Sequence, residues 1–347
     1  MSTPTTHIAV IRLSAMGDVA MTVPVIRALV QQNQHVKVTV VSRPFFQPFF
    51  EGIPNVAFFA VDLNGRHKGT MGLFKLYADV KKLNINAVAD LHNVLRSIVI
   101  RNLFVLSGKK VAHSDKGRTE KKALTSAKNK VFEPVKSMVE RHVETFKTLG
   151  FNIDLTHPVF PEKARLTNEV LRVSGEKDNT HWIGIAPFAQ YESKVYPLDL
   201  MQEAIVELAK NTAHKIFLFG GGKKETEQLQ ALSANLDNVI VVAGKLKLQQ
   251  ELQLISHLDV MLSMDSGNSH IAAMLGVKVV TLWGATHPYA GFKPFNQAFD
   301  NCLTADREKY PLLPTSVYGN KIVPGYEDAM RTITVAEVVA KINSNLA

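Results

Sequence analysis

The stretch VMLSMDSGNSHIAAMLGVKVVTLW, residues 260 to 283, decides the fold. Val260 to Met264 is a short apolar run with the length and composition of a buried strand, and Asp265-Ser266-Gly267 then turns the chain. Ser269 to Leu275 reads as a helix closed by Gly276, and Val277 to Trp283 is a second apolar, β-branched run. Strand, helix and strand in so few residues form a βαβ crossover, and such crossovers build parallel sheets covered by helices on both faces.

Working outward, the same alternation fills both halves of the chain. In the second half, strand-like runs stand at Trp182 to Pro187, Lys215 to Phe219 and Val239 to Ala243, with helical patterns near Leu200 to Ala209, Lys224 to Ala234 and Leu248 to Ser256. In the first half the runs are His7 to Leu13, Val36 to Ser42, Val56 to Asp62 and Ala87 to His92, and Val19 to Gln32 reads as a helix restricted by Pro24. The pattern weakens around Pro158 and Pro161 and resumes after Thr180. The expectation is two doubly wound α/β domains, residues 1–160 and 178–347, joined by a linker at 161–177, with the last helix returning to the N-terminal domain. Ligands of such sheets bind beyond the strand carboxyl ends, so two facing domains would place a site in the cleft between them.

Composition limits the function classes. The 347 residues are 46% hydrophobic and 20% charged, as in an ordinary globular chain. A single cysteine, Cys302, excludes an internal disulfide, and the 12 histidines contain no H-x-x-x-H pair, so no metal site is expected. Without an apolar run long enough to span a bilayer, or a leader of basic then apolar residues, the expected location is cytoplasmic. The net charge of +9 divides at residue 175 into +12 and −3, and the segment Arg96 to Lys147 holds 13 basic and 5 acidic residues. Such a surface suits an anionic partner, but Lys109 to Lys130 carries no aromatic residue to stack on bases, which argues against nucleic acid.

Each candidate site follows a strand. Leu13-Ser14-Ala15-Met16-Gly17-Asp18 carries a carboxylate that serves either as a helix N-cap or as a general base projecting into the cleft, and it lacks a G-x-G-x-x-G fingerprint. Pro187 to Pro197 brings Lys194, a candidate for neutralising phosphate. Phe219-Gly220-Gly221-Gly222 offers close backbone approach at a helix start. In the deciding stretch, the amides of Gly267, Asn268 and Ser269 form an anion site, with His270 in the first helical turn.

Together these motifs are identified as those of glycosyltransferase family 9, the ADP-heptose:lipopolysaccharide heptosyltransferases. The first loop has the form S-x-M-G-D, the lysine loop P-x-x-x-x-x-x-K-x-x-P, and a G-G loop precedes D-S-G-x-x-H-x-A-A and L-x-G-x-T. The resemblance implies a GT-B fold with acceptor on the N-terminal domain and nucleotide sugar on the C-terminal one, and an inverting enzyme without metal or other cofactor. Carried onto this chain, it implies Asp18 as general base, Lys194 on the donor phosphate with Gln190 beside it, and Asp265 on the transferred sugar. Ser266, Gly267 and Asn268 would surround the diphosphate beside His270, and Glu225, after Gly220 and Gly221, would meet the ribose. The implied partners are ADP-heptose and an anionic glycolipid acceptor at the inner membrane face, the latter met by Arg66, His67, Lys68, His92, Arg96, Lys116 and Arg118. Relatives carry C-x-x-C-S-x-x-G-x-K near the C-terminus, whereas Pro311 to Lys321 keeps S-x-x-G-x-K without cysteine. A nucleotide-sugar epimerase of the same architecture and a noncatalytic basic binding module are the competing readings.

Overall fold

The computed structural model describes residues 5–321 and 323–346. By its internal contacts the chain forms two units, one of residues up to 116 with 136–159, the other of 117–135 with 160 onward.

The first unit holds strands β1 (Thr6–Ile11), β2 (Val36–Ser42), β3 (Val56–Ala60), β4 (Ala87–Asp90) and β5 (Lys110–His113) in the order β3-β2-β1-β4-β5, every pairing parallel. Its helices are α1 (Met16–Ala20), α2 (Thr22–Gln32), α3 (Gly69–Lys81), α4 (Leu95–Leu106) and α6 (Met138–Leu149), while α5 (Arg118–Leu124) belongs to the second unit. Ile8, Ala9 and Val10 of the central strand are fully buried, as a strand covered on both faces requires. The helix expected over Val19 to Gln32 is two helices that break at Met21. Pro24 has no N–H for the Ala20 carbonyl, so the ladder cannot run through, and Pro24 becomes the third residue of α2. Helix α6 shows how the ends are fixed. Ser137 Oγ accepts from Glu140 N at 3.1 Å, Glu140 Oε2 accepts from Ser137 N at 2.7 Å, and Gly150 at φ +99° ends the helix.

The second unit holds β6 (His181–Ala186), β7 (His214–Leu218), β8 (Val239–Val241), β9 (Val260–Met264), β10 (Lys278–Trp283) and β11 (Cys302–Thr304) in the order β11-β10-β9-β6-β7-β8, again all parallel. Helices α7 (Asn168–Ser174), α8 (Leu198–Ala209), α9 (Gly222–Leu232), α10 (Leu248–Ile255), α11 (Gly267–Met274) and α12 (Val335–Leu346) surround it. Val338 and Ile342 of α12 are fully buried in one cluster with Ile205, Leu208, Val260 and Val280. Truncating either to alanine would cost about 2–5 kcal/mol.

Three expectations are corrected. The last helix packs on α8, β9 and β10 of the second unit, because its apolar stripe completes that unit's core. The expected linker contains α7, which packs on α10, so the second unit begins at Phe160. The basic segment 117–135 clusters with the second unit for local reasons. Lys130 Nζ donates to Leu124 O and Pro314 O at 2.8 Å each, Val135 N donates to Tyr289 O at 2.9 Å, and Phe132 lies under the Arg307 guanidinium at 3.3 Å. Lys121 is buried with Nζ 4.1 Å from the Phe292 ring centroid. The units therefore carry 17 basic and 9 acidic residues against 23 and 22, charges of +8 and +1 in place of the expected +12 and −3. Strands β5 and β11 escaped the sequence pattern because each is a short edge strand, one of them inside a basic run.

Candidate active site

In the first sheet the strand order reverses between β1 and β4, so the loops after these two strands flank the switch point where ligands of open α/β sheets bind. Arg12, immediately after β1, is only 6% exposed. Its Nη1 donates to Leu91 O at 2.6 Å, and its Nη2 pairs with Asp18 Oδ2 at 2.5 Å. Asp18 is not the N-cap of α1. That position is Ala15, and Asp18, the third helical residue, reaches back so that Oδ2 accepts from Ala15 N at 3.3 Å. Guanidinium and amide thus orient one carboxylate oxygen, and the side chain stays about a quarter exposed (27%).

The loop after β4 is built on a buried carboxylate. Asp90 Oδ1 accepts from His92 N at 3.0 Å and Asn93 N at 2.8 Å, while Oδ2 accepts from Arg101 Nη1 at 3.1 Å. This turn places His92 Nε2 3.5 Å from Ser14 Oγ of the β1 loop. Burial, then the charges of Arg12, Lys116 and Arg96, push the His92 imidazolium down to about 3 despite the opposing pull of Asp18, so the ring is neutral near pH 7. His92 Nδ1 is buried and has no hydrogen-bond partner among the described residues. The structure therefore brings Arg12, Asp18, His92, Arg96 and Lys116 to one rim of the sheet.

Of the other residues expected at the acceptor, two are held by a carboxylate of α3. Arg66 grips Asp79 with Nε at 2.6 Å and Nη2 at 2.8 Å, and His67 is buried with Nε2 3.3 Å from the same carboxylate. His67 Nδ1 accepts from Asp62 N at 3.0 Å, which leaves the ring proton on Nε2. This cluster ties the 62–68 loop to α3, and Lys68 at its end is exposed. Arg118 falls in the second unit.

In the second sheet the order reverses between β6 and β9. The loop after β6 carries Lys194, the loop after β9 carries Asp265, and they meet as an ion pair with Nζ to Oδ2 at 2.9 Å, the side chains 12% and 8% exposed. Asp265 leads into Ser266, the N-cap of α11, whose Oγ lies 3.1 Å from Ser263 Oγ and whose carbonyl accepts from Ser269 Oγ at 2.8 Å. The helix leaves its first amides, those of Gly267, Asn268 and Ser269, without intrahelical acceptors at this end. His270 is buried in the same turn. Gln190 is exposed on the Lys194 loop. After β7, a Cβ on Gly220 would lie 3.0 Å from Leu229 and 3.1 Å from Glu225, so the backbone passes close beneath α9. Glu225 Oε2 accepts from Gly221 N at 2.7 Å, which fastens that loop. Among the described residues no three His, Cys, Asp or Glu side chains gather as metal ligands, and no helix is long and apolar enough to cross a membrane.

Sequence reasoning missed Arg12 and gave no role to Ser193 or to Ser316 and Gly319 of the S-x-x-G-x-K motif. An arginine directly following a buried parallel strand is itself a signal, since such a charge is buried only with a partner. Ser193 and Gly319 meet from segments more than a hundred residues apart, which no local pattern announces.

The sequence profile of glycosyltransferase family 9 (heptosyltransferase) matches residues 73–320. The chain belongs to this family. It is 26% identical over 302 residues to lipopolysaccharide heptosyltransferase 1 of Campylobacter coli, covering 81% of this chain and 85% of that protein. Among solved structures, this glycosyltransferase resembles a family 9 protein of Veillonella parvula, with TM-score 0.76, 19% identity and coverage of 100% and 98% of the two chains. It also resembles E. coli heptosyltransferase WaaC with ADP, with TM-score 0.67, 20% identity and coverage of 98% and 100%. At these identities the structural likeness establishes the fold, which is GT-B.

Proposed function

We propose that this glycosyltransferase moves a heptose from ADP-heptose to a hydroxyl of a lipopolysaccharide core or related anionic glycan, with inversion. The observation that carries the reading is the nearly buried Lys194–Asp265 pair beside the first amides of α11, at the switch point of the second sheet. That grouping offers a cation and oriented N–H groups to a diphosphate and a carboxylate to sugar hydroxyls, and the Campylobacter coli relative is named for heptosyl transfer. In the reaction Asp18 takes the acceptor hydroxyl proton as that oxygen bonds to the anomeric carbon, and the bond to the diphosphate breaks. Charge developing on the departing ADP is met by Lys194 and the α11 amides, a preorganised role that a divalent ion fills in other enzymes. Arg12 orients Asp18, and neutral His92 beside it hydrogen-bonds the incoming acceptor. Gln190, Gly220, Gly221 and Glu225 line the nucleoside side of this site.

An anionic, amphiphilic acceptor at the inner face of a membrane suits the first unit, which carries the larger charge, +8. Met71, Phe74 and Leu95, exposed by 70%, 46% and 79%, stand near the N-terminal ends of α3 and α4 among Lys68, Lys75 and Arg96. The test is ADP release from ADP-heptose with and without a heptose-deficient lipopolysaccharide core. Release only with acceptor, and its loss in Asp18→Asn with donor binding intact, is expected. Turnover of the donor alone would favour the epimerase, and binding that falls steeply with salt and ignores ADP would favour the basic module.

A further inference from the structure

The C-terminal motif Ser316-x-x-Gly319-x-Lys321 has no part in the site as described so far, yet it touches the site's lysine. Ser193 Oγ donates to Gly319 O at 2.6 Å, and Gly319 lies against the stem of Lys194. A Cβ at residue 319 would stand 2.5 Å from Lys194 Cγ and would also strike Cδ, and Gly319 is at φ +82°. Two independent constraints, left-handed backbone and absent space, thus demand glycine. The turn that presents it is pinned by Ser316, whose Oγ accepts from Gly319 N at 2.9 Å and Tyr318 N at 3.3 Å and bonds Asn320 Oδ1 at 3.1 Å. On the other side Ser193 O accepts from Ala285 N at 3.1 Å, and Ala285 O accepts from Thr315 N at 2.9 Å and Ser316 N at 3.1 Å. Lysine has four rotatable bonds and ordinarily sweeps a wide volume. Here its stem runs between a backbone surface and its own loop, with Nζ delivered to Asp265 at 2.9 Å.

We propose that the Ser316–Gly319 turn is a clamp that positions Lys194, making Gly319 and Ser316 positioning residues for the donor diphosphate. The proposal rests on the donor-phosphate role given to Lys194 above. Gly319→Ala is expected to weaken ADP binding at least tenfold by calorimetry and to raise the donor KM to a similar extent, while the acceptor KM stays within twofold. Combined with Lys194→Ala, which makes room for the new methyl group, Gly319→Ala should change ADP affinity less than twofold. Equal loss in both backgrounds would mean a merely structural glycine and would overturn the clamp. Ser193→Ala keeps the glycine and removes one hydrogen bond, so it tests the same idea in a protein that folds if Gly319→Ala does not, with an expected loss of about threefold in ADP affinity. A second measurement does not depend on nucleotide. Acetylation of Lys194 by acetic anhydride, followed by peptide mass spectrometry, should accelerate several-fold in either variant while other lysines keep their rates. Unchanged Lys194 labelling overturns the clamp, whereas faster labelling in a protein that binds no ADP sustains the clamp and overturns the donor reading.

Discussion

Replacing Asp265 with asparagine should make the protein bind ADP more tightly while it loses sugar transfer. Asp265 Oδ2 holds Lys194 Nζ at 2.9 Å in a nearly dry setting. A phosphate oxygen bound to the same ammonium group would lie about 5 Å from that carboxylate, where two negative charges repel by roughly 3 kcal/mol at an effective dielectric of 20. Salt and the mouth of the site screen part of this, which leaves about 1–2 kcal/mol, or close to tenfold in the ADP dissociation constant. Asp265→Asn keeps the shape and an acceptor oxygen for Lys194, so the gain is electrostatic. It also breaks a buried pair, worth about 3 kcal/mol of stability and a fall of roughly 6–12 °C in Tm for a unit of this size. Transfer from the sugar donor should drop at least about a hundredfold, because an amide is a poorer acceptor of sugar hydroxyls than a carboxylate. Calorimetry with ADP, thermal denaturation with and without ADP, and ADP release assays read the three effects separately. Weaker ADP binding in Asp265→Asn would refute the reasoning, since Asp265 would then be helping to hold the diphosphate rather than competing with it.

Arg12→Gln should lower turnover by about a hundredfold with little change in ADP affinity, because misplacing the carboxylate proposed as base by even an ångström has that cost, and it should destabilise the chain by about 2–3 kcal/mol through the lost charged bond to Leu91 O. Steady-state kinetics beside urea denaturation tests this, and unaltered turnover would remove Arg12 from the site. Stability should decline with acidification. His92 is held down to about 3 by burial and nearby cations, and His287 down to about 4 by burial and Arg307. The unfolded chain takes up these protons near pH 6.5 and the folded chain does not, so the two imidazoles' contribution is level above about pH 6.5 and falls between there and about pH 4, by at most about 1.4 kcal/mol per pH unit per group, while Glu251, raised to about 7 by burial, offsets one group's share of that slope between about pH 7 and 4.5. Urea midpoints at pH 7.5 and 5 would show the slope, and His287→Phe should flatten it. Lys130→Met removes two bonds, to Leu124 O and Pro314 O, and should speed tryptic cleavage within 117–135 several-fold, as followed by mass spectrometry.

The amino-acid sequence determined the two parallel-sheet domains and the polar loops of the candidate site. Buried parallel strands read as continuous apolar runs, and their polar βα turns stand out against them, as at Asp265-Ser266-Gly267 after Val260 to Met264. For the same reason Asp18, Lys194 and Asp265 were legible as candidates from position alone. Tertiary structure decided what each group does, because partners arrive from distant segments. Arg66 and His67 read as acceptor cations but are held by Asp79, and Lys121 read as surface charge but lies buried over Phe292. Arg12 went unread because its partners, Leu91 O and Asp18, meet only when β1 pairs with β4. Gly319 shows the limit most plainly. Its lack of a side chain matters to the site because Lys194, 125 residues earlier, runs along that space, and steric exclusion between remote segments leaves no trace in local composition.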